Sequence, residues 1–139
     1  MIRAVLDTNV YVAALLSVHG SPARLVGALG ESLFDAIVCP RLLDELRGVL
    51  HRPKIAARID TVVADEFVSW LARIAMTVPD PVSVRALSPD PDDDYLIALA
   101  HISRAEVIVS GDAHLLGLTE SAPRTLSPAT FADLVEALR

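Results

Sequence analysis

A chain of 139 residues with 53% hydrophobic content and a mean hydropathy of +0.47 is long enough to bury a core and too apolar to stay disordered. Its net charge of -6 argues against a DNA-binding module resting on a basic surface, and three Phe, two Tyr and one Trp are too few for a base-stacking platform. Cys39 is the sole cysteine, which excludes an intramolecular disulfide and any multi-cysteine metal site.

In chain order, "IRAVLD" reads as a strand buried on both faces, the mark of a parallel sheet. Residues 9–18 look helical. "GSPARLVGALGES" predicts a helix capped by Ser21, with Pro22 at its first position and Gly30 near its stop. "DAIVC" is a second strand. Pro40 opens a helix, "PRLLDELRGVLHR", that Pro53 ends. Another spans 61–75, with Val62, Val63, Phe67, Trp70, Leu71 and Ile74 as its apolar stripe. "MTVP" is a third strand, residues 92–103 a helix, "AEVIVSGD" a fourth strand and "AHLLGL" a short helix. "RTL" supplies a fifth strand, and Ser127-Pro128 starts a last helix reaching Leu138.

This alternation predicts an α/β fold: a three-layer α/β/α sandwich on a mainly parallel sheet of about five strands, as one domain over 1–139. No apolar run approaches the roughly 20 residues of a membrane span. After one early Arg3, Asp7 falls inside what would be a signal peptide's apolar region and no small-residue cleavage site follows a long apolar stretch, so the expected location is cytoplasmic, with no membrane partner.

In open parallel sheets, ligands bind beyond the carboxyl ends of the strands, where strand order reverses. Asp7 ends the first strand and Asp112 the fourth. Glu45 lies on the helix after the second strand, and Asp94 opens the helix before the fourth, inside "SPDPDDDYLIALA". Taken singly, each acid has a plainer reading: Asp7 and Asp112 as helix caps, Glu45 as a solvated helix residue, and Asp90 to Asp94 as acids favoured by a helix dipole. Four acids from four segments at one sheet edge are another matter. Two unit charges 4 Å apart repel by roughly 4 kcal/mol at an effective dielectric near 20, so such a cluster holds protons or binds cations. Oxygen donors without His or Cys partners suit Mg²⁺ or Mn²⁺. Such a site fits in-line attack of water on a phosphodiester.

The segments "VLDTNVYVAALL", "LLDELRGVLHRPK", "DPDDDYLIALA" and "VIVSGDAHLL" resemble, in order and spacing, the four signature segments of the PIN-domain family. The second and third are particularly similar to the bacterial subgroup of VapC-like toxins from toxin–antitoxin pairs. The resemblance implies a metal-dependent ribonuclease acting on single-stranded RNA, with one or two Mg²⁺ or Mn²⁺ ions. It implies Asp7, Glu45, Asp94 and Asp112 as catalytic acids and metal ligands, Glu45 completing the metal site or orienting the attacking water. Asp92 and Asp93 are neighbours able to assist, but the Asp-x-x-aliphatic-Ala register favours Asp94. Asn9 matches a residue supporting Asp7, and Ser110 a small hydroxyl position; Thr8 and Ser110 also read as backbone caps. A homodimer and a small antitoxin partner are implied as well. The rivals are a PIN nuclease of RNA processing without an antitoxin, and a catalytically idle metal-binding interaction module.

Arg41, Arg47, Arg52 and Lys54 lie in a basic stretch that either guides RNA or is a solvated amphipathic face. His19, His51, His101 and His114 form no i, i+4 pair and read as surface or core residues. Cys39 reads as a buried small hydrophobe, and Phe67 and Trp70 as core.

Overall fold

The computed structural model describes residues 1–82, 91–111 and 123–139, with residues 91–93 described by their backbone alone. Five strands, β1 (Arg3–Leu6), β2 (Asp35–Val38), β3 (Met76–Thr77), β4 (Val107–Val109) and β5 (Arg124–Leu126), form one sheet in the order β3-β2-β1-β4-β5. Every pairing is parallel. The α/β architecture expected from the alternating pattern is therefore present.

The central strand β1 explains its own position. Ala4, Val5 and Leu6 are fully buried, which only a strand flanked on both edges and covered on both faces achieves. Leu6 pairs with Val109 on one side, and Ala4 with Ala36 on the other. Because the chain moves from β1 outward to β2 and β3, then returns past β1 to β4 and β5, the order reverses between β1 and β4.

Among the described residues there are seven helices: α1 (Thr8–Leu16), α2 (Ser21–Gly30), α3 (Pro40–Leu50), α4 (Pro53–Ala56), α5 (Thr61–Ile74), α6 (Pro91–Ser103) and α7 (Pro128–Glu136). α1 packs on α2 and α3, α2 on α7, and α3 on α5, while α6 lies against β1 and β4. α1, α2, α3, α5 and α7 thus form a connected set of packed helices, while α6 is the helix set against the two strands at the reversal. None of these helices is long and apolar enough by itself to cross a membrane.

Local details depart from the sequence reading in several places, among them α1, which ends at Leu16 rather than at residue 18. α2 is capped one residue earlier than expected, at Gly20, whose carbonyl accepts from the Arg24 N–H at 3.2 Å; Ser21 is its first helical residue. α3 stops at Leu50, before Pro53. The residue preceding a proline is pushed out of the helical region, and Arg52 is accordingly extended, with ψ at 141°. Pro53 then opens the single turn of α4 rather than closing α3. The inward face of α5 is Ala64, Val68 and Leu71, with Phe67 and Trp70 half-buried on its shoulder. Val62, Val63 and Ile74 are 63%, 49% and 40% exposed. Val62 precedes Ala64 by two residues, roughly 200° around the helix, so the two cannot share a face. Finally, α7 ends at Glu136 instead of Leu138. The short helix expected on "AHLLGL" lies outside the described residues.

Candidate active site

Strand polarity decides which end of the sheet can carry chemistry. In a parallel sheet, each helix following a strand begins at that strand's carboxyl end, and the helix leading into the next strand runs back against it. α1 and α3 therefore begin at the carboxyl edge, and so does α6, which leads into β4. Asp7 sits at the junction of β1 and α1, Glu45 in the second turn of α3, and Asp94 in the first turn of α6. Three of the four expected acids thus belong to this edge. The fourth, Asp112, lies outside the described residues, as does His114.

Asp7 is the most completely defined of the three. Its N–H donates to the Val109 carbonyl at 2.9 Å and extends the β1–β4 ladder by one residue past the last strand pair. The half-buried side chain is the N-cap of α1, Oδ1 accepting from the Asn9 N–H at 3.3 Å and from the Thr8 hydroxyl at 3.4 Å. Its Oδ2 accepts from the Ser110 hydroxyl at 3.0 Å, across the point where strand order reverses. Ser110 is fully buried and its N–H bonds to the Leu126 carbonyl at 3.0 Å, so β5 fixes the residue that fixes Asp7. Thr8 and Ser110 are consequently more than backbone caps. Asn9 supports Asp7 through its backbone, while the residue itself is exposed.

Asp94 is only 6% exposed, an uncommon condition for a carboxylate. It stands at the head of a helix whose Tyr95, Leu96, Ile97, Leu99 and Ala100 are all buried. The side chains of Asp92 and Asp93 are outside the description. Glu45, half-buried, is close enough to Tyr95 for its charge to act on the phenol.

Around Tyr95 is a set of contacts that the sequence reading missed. Its hydroxyl and the Cys39 thiol are 3.1 Å apart and fully buried. Burial, and secondly the Cys39 hydrogen bond, hold the phenol's pKa far above its ordinary value; burial likewise pushes the Cys39 thiol up. The Arg41 guanidinium carbon lies 4.1 Å from the centre of the Tyr95 ring, a cation–π stack. The Arg41 N–H donates to Asp80 Oδ1 at 2.9 Å, capping α3 from the loop that follows β3. The signal for Asp80 was present in "TVPDP": it follows a strand at its carboxyl end, as Asp7 does. Cys39 was foreseen as buried, but not as a hydrogen-bonding neighbour of the acid-bearing helix.

The other basic candidates are placed differently. Arg47 pairs with Asp44 at 3.4 Å on an exposed face of α3. Arg52 and Lys54 are exposed at the start of α4, beyond the far end of the 11-residue α3, which spans roughly 16 Å. Of these four basic residues, Arg41 is the one that stands beside the acid-bearing α6. His51 bonds Asp65 of α5 at 2.7 Å and serves the packing of α3 on α5.

The donors at this edge are carboxylates, the hard oxygen ligands that Mg²⁺ and Mn²⁺ prefer. Among the described residues, no group of three His, Cys, Asp or Glu side chains is drawn close enough to hold a metal ion. The chemistry of the donor set fits such a cation, and a complete ligand set would draw on Asp112 too.

A parallel α/β sheet with a carboxylate, Asp7, at its switch point is the class of protein so far defined. Residues 3–114 match the family model of the PIN domain, and the chain belongs to the PIN-domain family. The VapC-like resemblance is consistent with that membership. PIN domains are generally nucleases and typically bind divalent metals, so the fold is of a nuclease type. The uncharacterised protein MJ1680 of Methanocaldococcus jannaschii is 24% identical over 119 residues, which cover 86% of this chain and 76% of that protein. The crystal structure of PAE2754 from Pyrobaculum aerophilum superposes with a TM-score of 0.65 at 16% identity, covering 99% of this chain and 96% of that one. That likeness is one of fold.

Proposed function

We propose that this protein is a metal-dependent endoribonuclease that hydrolyses phosphodiester bonds of single-stranded RNA, as the toxin of a toxin–antitoxin pair. The observation that carries the reading is the Asp7 carboxylate, held at the switch point by Ser110 from the neighbouring strand, with a second acid, Asp94, buried at the head of the adjoining helix. Carboxylates brought to one sheet edge from separate segments repel one another, and a cation between them offsets that repulsion.

Asp7, Asp94 and Asp112 would hold the cation, with Glu45 completing the set. When bound, a divalent ion supplies a lowered pKa for the attacking water and positive charge for the phosphodiester. The chain's own residues do the rest. Ser110 and the first turn of α1 fix both oxygens of Asp7, so its carboxylate does not rotate as charge develops. Glu45 completes the ligand set or orients the attacking water. Asp94, buried in the first turn of α6, supplies a second carboxylate. The substrate is RNA, the cation Mg²⁺ or Mn²⁺, the location cytoplasmic, and the partners a second copy of the chain and a small antitoxin that covers the site.

Cleavage of a mixed-sequence single-stranded RNA in Mg²⁺, Mn²⁺ or EDTA, comparing the natural chain with Asp94→Asn, tests the reading. Cleavage that needs metal and falls at least a hundredfold in the variant is the expected result, in line with the loss of a group that acts on transition-state charge. Equal cleavage by both would overturn it. A folded, metal-binding chain that cleaves nothing would favour an interaction module.

A further inference from the structure

Two of the acids, Glu45 and Asp94, ride on helices with separate anchors. α3 packs chiefly on α1 and α5, whereas α6 lies against β1 and β4. The heads of the two helices meet at one side chain, Tyr95, which directly follows Asp94 in α6. Its buried hydroxyl is 3.1 Å from the thiol of Cys39, the N-cap residue of α3. Its ring lies beneath Arg41, the second residue of α3, whose guanidinium carbon is 4.1 Å from the ring centre. Asp80 closes the set from the loop after β3: its Oδ1 accepts from the Arg41 N–H at 2.9 Å, and its charge acts on the Cys39 thiol. Burial raises the phenol and the thiol alike, so both keep their protons and the bond between them.

Stability alone does not call for this pair. Val and Phe in the same places would fill similar space without burying two polar groups, and a buried hydrogen bond returns little net stability once desolvation is counted. A directed bond does what apolar contact cannot: it selects one separation and one orientation. Ligands of a hard cation need that. Mg²⁺ takes oxygen donors at about 2.0–2.1 Å in near-octahedral geometry, so acids on two helices that slide by roughly half an ångström hold it poorly.

We infer that Cys39 and Tyr95 are positioning residues: their hydrogen bond locks the head of α6 to the head of α3 and so sets the spacing of Asp94 and Glu45 for a divalent cation. The inference rests on the nuclease reading and adds to it two residues that tune metal affinity. Both act through the acids rather than on the cation.

The test uses the full chain and three readouts: Mn²⁺ titration calorimetry without RNA, thermal unfolding in EDTA, and RNA cleavage over a Mn²⁺ series. Tyr95→Phe deletes the hydroxyl and leaves the ring beneath Arg41. It should weaken Mn²⁺ binding about three- to tenfold, with Tm in EDTA changed by no more than about 5 °C. Cleavage should return to within about twofold of the natural chain once Mn²⁺ is saturating. The double variant Cys39→Val/Tyr95→Phe replaces the pair by an apolar one. It should unfold like the natural chain yet bind Mn²⁺ no better than Tyr95→Phe alone. Cys39→Ser keeps a hydrogen-bonding partner for the phenol and should hold Mn²⁺ affinity within about twofold of the natural chain. In a Glu45→Ala background, which has no carboxylate on α3 left to position, Tyr95→Phe should cost no further affinity. Natural Mn²⁺ affinity in the apolar double variant, or an undiminished loss in the Glu45→Ala background, would overturn the inference while Asp94-dependent cleavage still stands. A natural chain that binds no Mn²⁺ would overturn the nuclease reading and the inference together.

Discussion

Replacing Tyr11 by Phe should stabilise this protein by about 1 kcal/mol at neutral pH, and by more in alkali. Tyr11 is fully buried in α1, one turn beyond Asp7, with its ring centre 6.2 Å from that of Phe67; its hydroxyl has no hydrogen-bond partner among the described residues. A buried hydroxyl left unpaired costs about 1–3 kcal/mol. The void left by one oxygen, about 10 Å³ at ~24 cal/mol per Å³, offsets only ~0.2 kcal/mol of that. Burial also raises the phenol's pKa well above its ordinary value. Tyr11 therefore keeps its proton in the folded state at pH values where the unfolded chain has lost it. Above the unfolded pKa near 10, the folded state binds one proton more, and stability falls by about 1.4 kcal/mol per pH unit. Tyr95 and Cys39 are raised in the same sense and add their own slopes, so Tyr11→Phe should remove one proton's share of the alkaline decline and leave theirs. Urea unfolding followed by the fluorescence of the single tryptophan, Trp70, between pH 8 and 11 measures both quantities. In a domain of this size, 1 kcal/mol corresponds to about 3–5 °C in Tm. A variant that is less stable at pH 8, or that keeps the full alkaline slope, would refute the reasoning.

Ser110→Ala removes the hydroxyl that holds Asp7 Oδ2 and should lower Mn²⁺ affinity about tenfold, read by titration calorimetry, while leaving the fold intact. On α5, Leu71→Ala should cost about 2–5 kcal/mol in urea unfolding, whereas Val62→Ala should stay within about 0.5 kcal/mol, because only the first side chain faces the core. Arg24 bonds Glu136 through both carboxylate oxygens, at 3.0 and 2.6 Å, and reaches Asp133 at 3.2 Å, joining α2 to α7. The Arg24 hydrogen bond is the main cause holding the Glu136 carboxyl below its usual pKa, so this contribution is present above the unfolded carboxylate pKa and lost as pH falls through the folded value. Arg24→Ala should therefore lower Tm at pH 7 in low salt, with the difference shrinking in acid and in 1 M salt.

Much of this architecture was legible because it rests on signals that tertiary packing does not overrule. Strands made of Ala, Val, Ile and Leu with no alternation could only be buried on both faces, and Pro40, Pro128 and Ser127 mark helix starts through backbone geometry alone. Asp7 was legible for the same reason: a carboxylate directly after such a strand has few places to be. The stripe of α5 was not legible, because Val62, Val63 and Ile74 are as apolar as Ala64 and Val68. Which arc turns inward depends on where α3 lies, and hydropathy carries no record of that. The contacts around Tyr95 were hidden for a different reason. They join residues 56 positions apart in sequence, Cys39 and Tyr95, through a sulfur–hydroxyl pair that neither side chain advertises.

Cap and ligand present themselves as alternatives for a strand-end aspartate, but the geometry of Asp7 shows that they are compatible. An ionised carboxylate offers about four lone-pair sites. The Asn9 N–H and the Thr8 hydroxyl take the two on Oδ1, and the Ser110 hydroxyl takes one on Oδ2, which leaves one directed elsewhere. The hydrogen bonds that make it a cap are also those that fix the direction of the remaining lone pair. The same edge gathers the N-termini of α1, α3 and α6, each carrying roughly half a positive charge from its aligned peptide dipoles. Asp7 caps the first, Asp80 the second, and Asp94 lies in the opening turn of the third. A chain of net charge -6 can therefore assemble acids at one end of its sheet, because helix termini and hydroxyl donors stabilise them before any cation arrives. Removing those donors one at a time should loosen the site before it unfolds the protein, which is why Ser110→Ala separates the two roles where Asp7→Ala would merge them.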